Sequence, residues 1–201
     1  MLCKQKICAV FLSTALLFNL SGCVSNEDNI EKTSSKIMKM YSDLSQFETN
    51  IKFLCDSGES ILEYDCEFEY NKDYGQTLTI DKPESLSGIT IHSTGTNSDN
   101  INISYEDTVL DFDTSKQHGT SPADFMPNLI VCLSSSSADE IWSESQHNQK
   151  LLVARYENKT NDTNITTQIW LYKDTLSPMY AEIYQDGERV LQSFFSEFKT
   201  S

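Results

Sequence analysis

Residues 61–70 read Ile61-Leu62-Glu63-Tyr64-Asp65-Cys66-Glu67-Phe68-Glu69-Tyr70, so that Leu62, Tyr64, Cys66, Phe68 and Tyr70 alternate with Glu63, Asp65, Glu67 and Glu69. A period of two sends successive side chains to opposite faces of a pleated strand, which predicts one apolar face and one acidic face. The preceding residues Phe47, Ile51, Phe53 and Cys55 alternate in the same way, and Asp56-Ser57-Gly58-Glu59 separates the two runs. With Ser57-Gly58 as a two-residue turn, Phe53 falls opposite Leu62 and Ile51 opposite Tyr64, and the apolar sets of both strands share one face. In that register Cys66 sits opposite Thr49, six residues from Cys55, or about 20 Å at roughly 3.3 Å per residue. A disulfide needs Cα atoms within about 7 Å, so the two cysteines are expected to remain unbridged. The row Glu63 to Glu69 reads as solvated sheet surface and edge protection, or as a surface that steers a basic partner.

The same arithmetic extends along the chain. A strand near Gln76 to Asp81 ends at Pro83, and Gly88 to Thr94 form the next. Ile101, Ile103 and Tyr105 then face Thr108, Leu110 and Phe112 across a Glu106-Asp107 turn. Between Ser121 and Leu133 the period changes, because Phe125, Leu129, Cys132 and Leu133 have helical spacing. Pro127 places the start of a short helix near itself, after a turn at Pro122. Ser134 to Ser137 read as a loop. Strands follow at Ile141 to Gln146, Lys150 to Glu157, Ile165 to Tyr172, Met179 to Gln185 and Glu188 to Lys199. Asp186-Gly187 supplies a hairpin turn that sets Ile183 opposite Val190, with Phe194 and Phe198 continuing the face of Val190. Asn158 to Asn164 form a polar hairpin tip whose N-x-T triplets match glycosylation acceptors and read as an ordinary Asn/Thr-rich loop. Ahead of the strands, Ile37, Met40, Tyr41 and Leu44 recur at helical spacing with Ile30 one heptad earlier, predicting a helix from about Asp28 to Gln46 with one buried stripe.

The N-terminus carries an address. Lys4 and Lys6 precede an apolar run from Ile7 to Phe18, too short to span a bilayer comfortably, and Leu20-Ser21-Gly22-Cys23 follows. The tetrapeptide resembles the bacterial lipobox, at which the cysteine is acylated. It implies that residues 1–22 are a signal peptide removed at Cys23, that Cys23 carries the lipid, and that 23–29 form a short polar tether. Residues 30–201 then make a single domain, a length suited to one core. Without residues 1–22 the chain has 13 basic and 30 acidic residues, a net charge of −17. Such a surface repels nucleic acid and anionic lipid headgroups, so attachment to the outer face of a membrane rests on the lipid.

Catalytic signatures do not emerge. Cys3 and Cys8 leave with the signal and Cys23 is acylated, so Cys55, Cys66 and Cys132 remain, and none belongs to a CxxC pair. His92, His118 and His147 lie on separate predicted segments with no second ligand nearby. The chain lacks a G-x-S-x-G elbow, an H-E-x-x-H pair and a phosphate loop. In so acidic a chain, paired carboxylates say little about glycoside chemistry. The residues therefore predict a non-enzyme with no catalytic residue, no metal and no cofactor, and they assign no partner-binding residue.

Three stretches carry a family resemblance: Leu78-Thr79-Ile80-Asp81-Lys82-Pro83, Ile169-Trp170-Leu171-Tyr172 followed by Ser177-Pro178, and Asp186-Gly187-Glu188-Arg189-Val190 leading to Phe198. With the order of helix, meander, helical break and closing hairpins over residues 30–199, the chain resembles the LolA/LolB lipoprotein carriers. That implies an α+β fold, a curved, incompletely closed antiparallel sheet (a half-barrel) with helices on its concave side. Joined to the lipobox and the acidic, Asn/Ser-rich composition, the pattern is similar to the GerS family of germination lipoproteins of clostridial spore-formers. This resemblance implies a non-enzymatic partner of a zinc-dependent cortex N-acetylmuramoyl-L-alanine amidase of the CwlD type, whose activity generates muramic-δ-lactam in spore cortex. The zinc belongs to the amidase. It also implies a place in the spore or forespore envelope. Pairing with a second copy through a sheet edge is a further expectation. Two other readings stand beside it. An acyl-chain carrier or sensor would need a cavity between sheet and helices, which packing by Phe53, Tyr64, Phe68, Phe194 and Phe198 would fill, and a substrate-binding or inhibitor lipoprotein is the third.

Overall fold

The computed structural model describes residues 27–94, 101–106, 108–112, 119–146, 148–160 and 163–201. Cys23, the expected signal segment, His118 and His147 lie outside the described residues. The helical stripe becomes α1 (Glu27–Asp43), in which Ile37 and Tyr41 are buried and Ile30 and Met40 are half-buried. The period-two runs become β1 (Gln46–Asp56), β2 (Ile61–Asn71), β3 (Gly75–Lys82), β4 (Thr90–Ser93), β5 (Ile101–Tyr105) and β6 (Thr108–Phe112). After α2 (Pro122–Ser135) come β7 (Glu140–Gln146), β8 (Gln149–Thr160), β9 (Thr163–Tyr172), β10 (Pro178–Gln185) and β11 (Glu188–Thr200).

Among the described residues, eleven strands form one open antiparallel sheet in the order β6-β5-β4-β3-β2-β1-β11-β10-β9-β8-β7. Two meanders are thus joined through β1 and β11, the first and last strands in the chain. β6 and β7 end at opposite edges, and α2 is the segment between them, so it has to cross a face of the sheet. That face carries Phe47, Ile51, Phe53, Cys66, Phe68, Leu78, Ile80, Ala154, Ile169, Ala181 and Leu191, and with both helices it forms one apolar core. Phe125 of α2 meets Phe53 edge-on with ring centroids 5.4 Å apart. Tyr41 of α1 donates to the carbonyl of Leu176 at 2.9 Å, and the amide of Ala138 donates to Ser34 Oγ at 3.2 Å, which ties α1 to the loops beside β7 and β10.

Four sequence expectations need correction. Phe53 stands opposite Tyr64 and Ile51 opposite Cys66, because the β1–β2 connection is a four-residue loop. Its geometry comes from side chains: Ser57 N and Oγ both donate to the carbonyl of Ser60, and Gly58 N to Asp56 Oδ1. The slip is two residues, so the faces are unchanged. Cys66 is then four strand positions from Cys55, about 13 Å at roughly 3.3 Å per residue, and Cys55, Cys66 and Cys132 are free thiols.

Second, α2 is continuous through Pro127 and runs on through Ser134 and Ser135. Its start is held by Asp124, whose carboxylate accepts from Gly119 N (2.7 Å), Ser121 N (2.9 Å) and Ser121 Oγ (2.6 Å), with Pro122 in the first turn. Burial of Phe125, Met126, Leu129, Ile130 and Leu133 then outweighs the roughly 3 kcal/mol that an interior proline costs. Third, Ile183 pairs with Leu191 and not Val190, because Tyr184 pairs with Arg189 and Val190 is an extra residue in β11. Fourth, and as a result, Leu191, Ser193 and Phe195 face the core while Phe194 faces away from it. A second irregularity at Glu197, in the left-handed region with φ 55°, returns Phe198 to the core side, where its ring lies 5.1 Å from that of Phe47. The β5–β6 hairpin has the predicted register, Ile101 opposite Phe112 and Ile103 opposite Leu110. Gly75 opens β3 at φ 97°, where a Cβ would lie 2.3 Å from the carbonyl oxygen of Ser93.

Candidate interaction surface

On the face away from the helices, one transverse row runs through Trp142 (β7), Val153 (β8), Trp170 (β9), Tyr180 (β10), Phe194 (β11) and Lys52 (β1), each opposite the next. Such positions lie about 5 Å apart, within contact distance for rings. Trp170 and Tyr180 have centroids 5.0 Å apart, and Tyr180 and Phe194 4.8 Å, both tilted. Both indole N–H groups donate to one carboxylate, Trp142 to Glu144 Oε1 at 2.7 Å and Trp170 to Glu144 Oε2 at 2.9 Å, so a single acid orients two indoles. Leu151 and Val153 are fully buried on this face. Phe194, at the end of the row, is 41% exposed.

The neighbouring row holds Glu182, flanked by Gln168 and Gln192. Glu182 is only 7% exposed. It accepts from Tyr180 Oη and Tyr184 Oη (both 2.5 Å) and from Arg189 Nη1 (2.8 Å), and Gln192 Nε2 also contacts Tyr180 Oη. Burial pushes the Glu182 carboxyl up, but the bonds from Tyr180, Tyr184 and Arg189 outweigh it and hold the group below its ordinary value. Burial, followed by the bond to Glu182, pushes Tyr180 and Tyr184 up. Around neutral pH the phenols stay protonated and the carboxylate ionised. The network therefore fixes the aromatic row in place and offers no group poised for proton transfer.

Of the other sequence candidates, the acidic row adjoins this surface, because Lys52 stands opposite Asp65 of β2. In the acidic row, Glu63 pairs with Lys52 at 2.5 Å and Asp65 with Lys82 at 2.7 Å, which leaves Glu67 and Glu69 to face a shallow cleft of about 180 Å³. His92 stands 3.1 Å from Thr77 Oγ1 beside a cleft of about 420 Å³ that also includes Glu69, Tyr70 and Tyr74. Burial pushes the thiols of Cys55 and Cys132 to about 11 and that of Cys66 to about 12, so they are weak nucleophiles at neutral pH. Among the described residues, no group of three His, Cys, Asp or Glu side chains is placed to hold a metal ion. The sequence reading gave Trp142, Trp170, Tyr180, Glu144 and Glu182 no part in a site. The available signal was the unbroken apolar runs Leu151-Leu152-Val153-Ala154 and Ile169-Trp170-Leu171-Tyr172, which mark strands covered on both faces.

No family model matches the chain, and no curated protein does. Among solved structures, it is similar to a putative outer membrane lipoprotein-sorting protein domain from Vibrio parahaemolyticus (TM-score 0.49, 13% identity, covering 86% of this chain and 94% of that one). It is similar also to a LolA superfamily protein from Nitrosomonas europaea (TM-score 0.44, 10% identity, 84% and 93% covered). A third is the complex of the CwlD amidase with the GerS lipoprotein from Clostridioides difficile (TM-score 0.41, 16% identity, 85% and 95% covered).

Proposed function

We propose that this chain is a non-enzymatic lipoprotein, anchored through Cys23 on the outer face of a bacterial membrane in the spore or forespore envelope, that binds and stabilises or activates a cortex peptidoglycan amidase of the CwlD type. In that role it supports muramic-δ-lactam formation and hence germination, with its helices in the concavity of a half-barrel sheet. The choice of amidase rests on the sequence resemblance to GerS. The observation that carries a binding role is the row Trp142, Trp170, Tyr180 and Phe194, which Glu144 and Glu182 hold rigid in advance of any partner. Preordered aromatic side chains dock at low entropic cost and form the usual anchors of an interface. Charge complementarity selects a basic partner surface, because the chain from Cys23 onward has a net charge of −17 and the exposed acids Glu140 and Glu144 border the row. Lys and Arg side chains of the partner stack on such rings favourably.

In the same reading a second copy pairs along the open edge of β6, where Val109 and Leu110 are exposed. The acyl-carrier reading gains no support beneath the N-terminal half of α2. The space bounded by Phe68, Leu78, Ile91 and Met126 measures about 10 Å³, enough for one water and not for an acyl chain.

Amidase turnover and zinc occupancy, measured with and without the full chain, test the proposal. A one-to-one complex with a rise in either quantity is expected. Absence of a complex together with no change in either defeats it.

A further inference from the structure

A pocket of about 320 Å³ lies on the helix side of the sheet, between the C-terminal half of α2 and strands β8 and β9. Val131, Cys132 and Ile165 give it an apolar wall, and Thr167 and Tyr156 line it deeper. Tyr156 is 5% exposed, and its hydroxyl is buried without a hydrogen-bond partner. A buried hydroxyl left unpaired is costly, and native proteins keep few of them without a ligand or water to satisfy them. Burial, with Cys132 as a lesser cause, pushes this phenol up, so it is a neutral group able both to donate and to accept.

The electrostatics of the pocket select the ligand. Exposed Asp139 and Glu157 complete the lining, of which Asp139 supplies the free carboxylate, because that of Glu157 is paired with Arg155 Nη2 at 2.8 Å. Asp139 Oδ2 accepts from Glu157 N at 2.7 Å, and among the described residues no cation pairs with Asp139. The C-terminal end of α2, closed by Ser136 N donating to the carbonyl of Cys132 at 3.2 Å, adds negative potential. Anions are therefore excluded, and groups that donate hydrogen bonds are welcomed. An acyl chain would strand the polar side chains of Asn128, Ser136 and Asn158. The volume is at the lower end of small-molecule sites, which run about 300–1,000 Å³.

We propose that this pocket binds one uncharged, hydroxyl-rich sugar ring, with an apolar face of the ring on Val131 and Ile165 and its hydroxyls bonded to Tyr156 and Asp139. Carboxylates accepting from neutral hydroxyls make strong, charge-assisted bonds. The site is on the opposite face from the aromatic row, so it holds or fails independently of amidase binding.

The test is a titration of the full chain in detergent micelles with N-acetylglucosamine, its β-1,4-linked tetramer and glucuronate, followed by saturation-transfer NMR. N-acetylglucosamine is expected to bind, and glucuronate at least about tenfold more weakly. Tyr156→Phe should weaken sugar binding by about two- to tenfold, the value of one hydrogen bond, with no loss of melting temperature. Asp139→Asn should weaken it as well. Tighter binding of the tetramer identifies a glycan strand as the source, and equal binding a free sugar. Absence of saturation transfer from both neutral sugars, or binding unchanged in both variants, overturns the assignment.

Discussion

Phe194 lies directly opposite Tyr180 across β10 and β11, with ring centroids 4.8 Å apart, on the face of the sheet away from α1 and α2. The hydroxyl of that tyrosine is bonded to the buried carboxylate of Glu182, so the pair cannot swing freely. Phe194 is thus an exposed ring on a rigid mount, and its removal should weaken binding while leaving the fold in place. Phe194→Ala is expected to weaken the amidase complex about tenfold or more, the effect of losing an interface anchor. The fold should lose about 0.5–1.5 kcal/mol with the ring contact. Isothermal titration and a melting curve on the same sample separate the two. Phe53→Ala, by contrast, empties a fully buried site against Phe125 and should cost about 3–5 kcal/mol.

Glu182 predicts the form of the acid limb. A carboxyl held below its ordinary value of 4.5 stabilises the fold above that pH, and the contribution is lost as the pH falls through the lower folded value. Urea unfolding from about pH 6 to about pH 3 should therefore show stability falling more steeply in the natural chain than in Glu182→Gln. Equal slopes would mean that Tyr180, Tyr184 and Arg189 do not favour the ionised form.

Asp124 accepts three hydrogen bonds at the start of α2, from Gly119 N, Ser121 N and Ser121 Oγ. Asp124→Ala should destabilise the protein by about 1–3 kcal/mol, read as a lower urea midpoint with an unchanged slope.

The thiols of Cys55, Cys66 and Cys132 should react slowly with iodoacetamide in the folded protein near neutral pH, and readily after unfolding. Peptide mapping under non-reducing conditions is expected to find all three unpaired. A Cys55–Cys66 link would contradict the β1–β2 register.

Cys23→Ala should abolish labelling by an alkyne fatty acid and release the protein from the membrane fraction. Retention of either would remove the lipid anchor from the proposed function.

What was legible in the sequence was local. Alternation in 61–70 located a strand and its buried face, and the run from Ile101 to Phe112 specified even the register, because a short turn leaves little freedom between its flanking residues. The stripe Ile37, Tyr41 predicted α1 for the same reason: both ends of the signal are a few residues apart. The aromatic row was not legible, since its four rings come from four strands and one misplaced residue decides it. Val190 as an extra residue in β11 turns Phe194 from core to surface, and the bulge depends on how β10 holds both of its neighbours. Likewise Pro127 alone argues for a break, while the continuous α2 exists because the sheet offers Phe125, Leu129 and Leu133 a surface to cover. Local pattern thus determined the elements and their faces. Only the tertiary structure decided the pairing of β1 with β11, the bulges and the proline within a helix, because each rests on contacts between residues far apart in the chain.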